Sequence, residues 1–165
     1  MSQGTEIPVP GVHSMEHTAD VALEVTADEV SDLFERSALG MMFLLLERVP
    51  EDRSDTRSLQ VRATDLPGLL REWLRELLFW HETEGFSVAS CGIRIEPHPE
   101  RSSGAGAEGR TAPDDGTEDH IRLEATVQGG FDRGTPVREI KGVTLHGLVA
   151  EARDDGWYGR VIFDV

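Results

Sequence analysis

Residues 20–46, DVALEVTADEVSDLFERSALGMMFLLL, decide the fold class, because the spacing of their apolar side chains changes once along the stretch. Val21, Leu23 and Val25 return at every second position, which places them on one face of a half-buried strand. From Val30 onward Leu33, Phe34, Ala38 and Met41 return at three- and four-residue intervals, the period of a helix with one buried face, and the run continues to Leu46. Thr26 and Glu29, between the two regimes, have the spacing of a capping box, in which a hydroxyl accepts from the first turn and a carboxylate reaches back. A strand feeding directly into a helix is the expectation.

The same alternation of regimes recurs downstream. Glu47 to Thr56 is a polar break containing Pro50, after which Leu59, Val61 and Ala63 alternate as a second short strand. Asp65 caps a second helix whose first turn accommodates Pro67. Leu66, Leu69, Leu70, Trp73, Leu74, Leu77 and Leu78 form its apolar stripe, and Gly85 stops it. Phe86 to Glu96 and His120 to Val127 read as further strands. The tail gives Val143 to Ala152 and Trp157 to Val165 on either side of Asp154-Asp155-Gly156, a hairpin in which Gly supplies the positive φ of the turn. Strands outnumber helices and come in runs. The expected architecture is α+β: two helices packed on a mostly antiparallel or mixed sheet, with a C-terminal β-hairpin. At 165 residues, one domain spanning 1–165 is expected, with no internal repeat. Pro97 to His120 has six acids, two arginines and no large apolar side chain, and is read as a mobile acidic surface loop.

Charge narrows the function classes. The net charge is −15, and with the 97–120 segment contributing −4 the remainder still carries about −11 (−15 minus −4). Such a surface repels phosphate backbones, so a role in RNA biology is expected to run through a protein partner. The longest purely apolar stretch, Met41 to Leu46, is too short to cross a bilayer, and the N-terminus has no basic start followed by an apolar run. One cysteine, Cys91, precludes an internal disulfide and is read as a small buried core residue; a reducing cytoplasm fits best.

A few residues stand out as chemistry-bearing. Glu16-His17-Thr18-Ala19-Asp20 places a carboxylate, an imidazole and a second carboxylate at the entrance of the first strand, a set suited either to a metal or to a solvated loop. Asp164 is followed by Val165 with its own carboxylate, and two such neighbours repel unless water or a hard, oxygen-preferring cation screens them. Lys141 is the sole lysine among sixteen basic residues: it reads either as a position that wants a compact ammonium, to pair with Asp20 or Asp164 or to reach a phosphate, or as an exposed loop cation. His146, beside Leu145 and Leu148, reads as a half-buried strand histidine. There is no phosphate-binding glycine loop and no nucleophile elbow.

His17-Thr18-Ala19-Asp20-Val21, Glu72-Trp73-Leu74-Arg75-Glu76-Leu77-Leu78, Ile140-Lys141-Gly142-Val143-Thr144, Gly156-Trp157 and the closing Val161-Ile162-Phe163-Asp164-Val165, in this order, resemble the archease family over almost the whole chain. The resemblance implies a cytoplasmic protein that is not itself an enzyme. Such a protein activates an RtcB-type RNA ligase in tRNA splicing and RNA repair, promotes guanylylation of the ligase and its multiple turnover, and can broaden its nucleotide use. It implies a divalent metal, calcium with magnesium or manganese as alternatives, held by Asp20, Asp164 and the terminal Val165. Lys141, Asp20 and Asp164 become the residues of activation, with Glu16, His17 and His146 as outer contacts. The partner is the ligase; RNA is met through it, and no membrane is involved. The sequence departs from the family's pattern in a longer 97–120 segment, in Gly142 where a small apolar residue is expected and in Leu145 where an aromatic is common. Two other readings stand beside this one: a chaperone-like module for RNA-modifying enzymes, and a metal-dependent phosphoesterase using His17, Asp20, His146 and Asp164.

Overall fold

The computed structural model describes residues 4–16, 19–99, 120–131 and 136–165. Along them run β1 (Thr5–Glu6), β2 (Val12–Glu16), β3 (Asp20–Ala27), α1 (Val30–Leu46), β4 (Asp55–Ala63), α2 (Leu66–Glu84), β5 (Phe86–Glu96), β6 (Ile121–Phe131), β7 (Gly142–Val143), β8 (Val149–Arg153) and β9 (Gly156–Asp164). The strands are all antiparallel and divide into two sheets. One has the order β1-β2-β3-β9-β7 with β8 also paired to β9; the other has the order β4-β6-β5. The α+β architecture read from the sequence is thus present, with two helices and a C-terminal hairpin. Periodicity alone does not say how strands pair, and so did not reveal that there are two sheets.

Both helices contact strands of both sheets, and this accounts for their composition. α1 buries Leu33, Phe34, Ala38 and Met41 as its stripe demands, but also Met42, Leu44 and Leu45, because a helix enclosed from two sides needs apolar residues over most of its circumference. Trp73 of α2 is fully buried and donates its indole N–H to the carbonyl of Phe34 at 3.0 Å, so the one polar atom of the largest core side chain is satisfied across the helix pair. A single apolar cluster joins the helices to both sheets.

The local signals were realised unevenly. At α2 the Asp65 carboxylate accepts from the Gly68 N–H at 2.7 Å, Pro67 lies in the first turn, and Gly85 ends the helix at φ 72°, all as the sequence indicates. The capping box at α1 does not form. Thr26 is still inside β3, opposite Tyr158, and its hydroxyl turns to the Gly11 carbonyl; Glu29 is the N-cap and its side chain makes no capping bond. The extended strand outcompetes the cap for Thr26. In the C-terminal hairpin Arg153 pairs with Gly156, so the turn residues are Asp154 and Asp155, neither with positive φ; Gly156 (φ 155°) already belongs to β9. Glycine is needed there because a Cβ would lie 2.4 Å from the Ala27 carbonyl oxygen. Strand β6 runs four residues beyond Val127, through Gly129 and Gly130, which carry no side chain to continue the pattern. The hairpin of β1 and β2 had no signal strong enough to read, since Ile7, Val9 and Val12 are buried singly among polar and turn residues. The acidic segment from Pro97 to His120 lies, over residues 100–119, outside the described residues.

Candidate metal and docking site

Strands β3 and β9 run antiparallel for eight residue pairs, and the register places Asp20 directly opposite Asp164. On the other side of β9, Asp164 faces Gly142 of β7, so Asp20, Asp164 and Gly142 form one row across three strands at the end of the larger sheet. The next row inward is Val21, Phe163 and Val143, at 1%, 0% and 4% exposure. Side chains alternate across a sheet, so a row adjacent to one turned into the core is turned away from it. Asp20 and Asp164 therefore emerge together on the outer face, and both are exposed.

Directly opposed residues on antiparallel strands have Cβ atoms about 4.5–5.5 Å apart, and like charges placed so are destabilising. Neither carboxylate makes a hydrogen bond or ion pair among the described residues. The backbone around them is, by contrast, well tied. The Lys141 N–H donates to the Asp164 carbonyl at 2.7 Å, and the Val165 N–H donates to the Ala19 carbonyl at 3.1 Å. The sheet thus holds two unpaired carboxylates side by side. Two opposed carboxylates are an all-oxygen donor pair, the kind a hard divalent cation takes and a soft one does not. The residues present fit calcium, magnesium or manganese. No third His, Cys, Asp or Glu side chain joins Asp20 and Asp164 in a metal-holding group among the described residues.

Lys141 is exposed beside this row, and its ammonium has no partner among the described residues. Gly142, facing Asp164, adds no bulk: a Cβ built there meets nothing within 4 Å, so the approach to Asp164 from β7 is open. Glu16, at the end of β2, pairs with Arg138, which fastens the segment leading to Lys141 against the first sheet. His17 lies outside the described residues. His146 is not the half-buried strand histidine expected: it is exposed in the bend between β7 and β8, where Gly147 at φ 63° turns the chain, and it does not gather with the two aspartates. Cys91 is half-buried rather than a full core residue, because β5 is an edge strand there; its N–H donates to the Glu35 carboxylate of α1 at 2.6 Å.

A sequence model described as the Archease protein family matches residues 13–165. The chain belongs to the archease family. It is 27% identical over 154 residues to protein archease of Thermococcus gammatolerans, covering 91% of this chain and 95% of that one. It is 28% identical over 152 residues to protein archease of Methanosarcina acetivorans, covering 92% and 93%. Among solved structures, the solution structure of Methanobacterium thermoautotrophicum protein 1598 superposes with a TM-score of 0.69 at 23% identity over 94% of this chain and 99% of that one. The crystal structure of an archease from Thermotoga maritima, described as a possible chaperone, gives 0.53 at 17% identity over 98% of both chains. These two likenesses concern the fold. Among the described residues no helix is long and apolar enough to cross a membrane.

Proposed function

We propose that this archease activates an RtcB-type RNA ligase by promoting guanylylation of the ligase, and so supports its repeated turnover in tRNA splicing and RNA repair. In that reading Asp20, Asp164 and the Val165 carboxylate hold a divalent cation, calcium or its replacement by magnesium or manganese, and Lys141 adds a positive group beside it. The observation that carries the reading is the apposition of Asp20 and Asp164 at one sheet end, unpaired and solvent-facing, on a chain of the archease family. Guanylylation forms a bond from the ligase nucleophile to the α-phosphorus of GTP and breaks the bond to pyrophosphate, so negative charge builds on the leaving phosphates. A cation bound at the tip supplies positive charge of the kind that stabilises such a transition state. The chain's own residues position that charge: the β3–β9 ladder fixes the aspartates, and the Lys141 N–H to Asp164 bond fixes the lysine backbone against them. The acidity of the rest of the surface fits a protein that meets RNA through the ligase, in the cytoplasm, rather than directly.

The test is single-turnover guanylylation of the cognate ligase with labelled GTP and manganese, with and without this protein. Acceleration is expected, with loss on Asp20→Ala or Asp164→Ala in variants that keep the wild-type unfolding midpoint. Near-normal stimulation by folded Asp164→Ala would remove the tip from the mechanism. A second reading, a chaperone-like module that stabilises RNA-modifying enzymes, is favoured by the description of the Thermotoga maritima structure. It expects Asp20 and Lys141 to be dispensable for partner stabilisation, which thermal unfolding of the partner measures. A phosphoesterase using His17, Asp20, His146 and Asp164 draws no support from the position of His146.

A further inference from the structure

A second recess adjoins the tip. It lies between the C-terminal ends of α1 and α2 and the segment 136–140 that leads to Lys141, and encloses about 380 Å³, within the size range of a ligand-sized or side-chain-sized site. Leu45 and Ile140 give it an apolar lining; His81, Glu82, Arg138 and Glu139 supply its polar groups. We propose that this cleft receives an arginine side chain presented by the partner protein that docks on the carboxylate tip; the proposal rests on the activator reading given above.

Charge selects a cation. Glu82 and Glu139 are exposed and make no ion pair or hydrogen bond among the described residues, whereas Arg138, the one Lys or Arg among the described lining residues, is engaged by Glu16. Two helix C-termini open onto the cleft, each carrying the negative end of its macrodipole. The Val137 and Arg138 N–H groups donate to the Leu45 carbonyl, so the segment is anchored to the end of α1 and the cleft is a built feature.

His81 is the independent observation. It is only 7% exposed, and its Nδ1 lies 3.3 Å from the Phe86 carbonyl. A carbonyl only accepts, so Nδ1 carries the hydrogen, and in the singly protonated tautomer that this contact selects Nε2 keeps a lone pair. That nitrogen has no hydrogen-bond partner in the protein among the described residues, yet it is not sealed away from solvent. A lining that holds this acceptor, two free carboxylates and apolar Leu45 and Ile140 suits several donors on one rigid, weakly hydrated group. A guanidinium has five in a planar fork, and its methylene stem suits Leu45 and Ile140; an ammonium is a point charge with a tighter hydration shell. Glu139 and Ile140 lie immediately before Lys141, so a partner seated over Asp164 brings its neighbouring side chains to the cleft.

The test uses the full chain in two measurements. In the first, the ¹⁵N-labelled protein is titrated with N-acetyl-arginine amide and, separately, with N-acetyl-glutamine amide. Saturable shifts at Leu45, Glu82, Gly85 and Glu139 amides and at the His81 ring are expected from the arginine compound alone, and shifts from neither compound at these positions overturn the proposal. In the second, affinity for the RtcB-type ligase is measured for wild type, for Glu82→Gln/Glu139→Gln and for Asp164→Ala. The double variant alters exposed side chains and keeps the unfolding midpoint; it is expected to bind the ligase about tenfold or more weakly. A ligase that binds wild type and double variant alike overturns the cleft while leaving the activator reading standing. A ligase that binds none of the proteins overturns the activator reading and the cleft's occupant with it.

Discussion

Two single residues turn the local geometry into measurable expectations. Gly142 stands opposite Asp164 without a positive φ and with open space where a Cβ would be, so nothing in the fold requires glycine there. Glycine in a strand forfeits about 0.5–1 kcal/mol of stability relative to alanine through its freedom in the unfolded chain. Gly142→Ala is therefore expected to raise stability by about that amount in urea unfolding, with ligase stimulation unchanged because a methyl group does not reach across the open approach. A loss of stimulation would mean that the partner packs against this position. Cys91 points the other way. Burial, and then the Glu35 carboxylate beside it, push its thiol pKa well above the usual range, so thiolate is scarce at any ordinary pH. Alkylation by iodoacetamide at pH 8 is expected to run at least about 100-fold slower than for a free thiol, rising to the free rate in denaturant; a rate near that of free cysteine in the native state would contradict the placement of Cys91 against α1. That slow chemistry was partly legible, since nothing basic flanks Cys91 in sequence, but the edge-strand position and the carboxylate from α1 are tertiary facts.

At the scale of elements, a close constraint lies where α1 crosses β3 and β2. A Cβ at Gly40 would lie 2.8 Å from Leu23 Cδ2 and 3.0 Å from Val12 Cγ1, and both of those side chains are essentially fully buried and have nowhere to go. Overpacking of this kind costs about 1–3 kcal/mol. The gain in helix propensity from replacing glycine with valine is well under 1 kcal/mol, so the clash wins. Gly40→Val is expected to lose about 2 kcal/mol, or about 4–8 °C in melting midpoint for a chain of this length, and a variant that melts with wild type would mean the helix stands further from the sheet. This glycine shows why elements were more legible than their packing. The run from Val30 to Leu46 gave the helix correctly because periodicity is local, and Asp65, Pro67 and Gly85 gave both ends of α2 because capping chemistry is local too. A glycine inside a helical pattern carries no local message; its reason lies in two side chains from other elements. The same distinction explains Thr26 and Glu29, whose spacing satisfies the capping rule while the strand they follow claims the threonine.

For the whole molecule, the candidate site joins β3 to β9, strands far apart in sequence, and no short window of sequence contains both halves of it. Each aspartate was singled out by its own surroundings, but their being face to face depends on β3 pairing with β9 in a register set by the buried row of Val21 and Phe163. What the sequence did carry was the family pattern, which named Asp20, Asp164 and Lys141 together. The physical consequence of the pairing is a molecule of net charge −15 that holds two of its carboxylates in opposition without a counter-ion among the described residues. A cation that binds the folded state alone stabilises it by about 2.7 kcal/mol at 100 times its dissociation constant. At about 2–4 °C per kcal/mol, that raises the melting midpoint by roughly 5–10 °C. Calcium is expected to produce this shift at an ionic strength held constant with a monovalent salt, which separates a specific site from diffuse screening of an acidic surface. Asp164→Asn should then change sign with conditions. In chelator it removes a like-charge opposition and is expected to be as stable as wild type or more so. In calcium it loses a charged ligand and is expected to fall below wild type, with most of the shift gone. A calcium shift that survives the substitution would place the cation elsewhere on the acidic surface, and a variant markedly less stable than wild type in chelator would mean that the Asp164 carboxylate is held by a partner of its own.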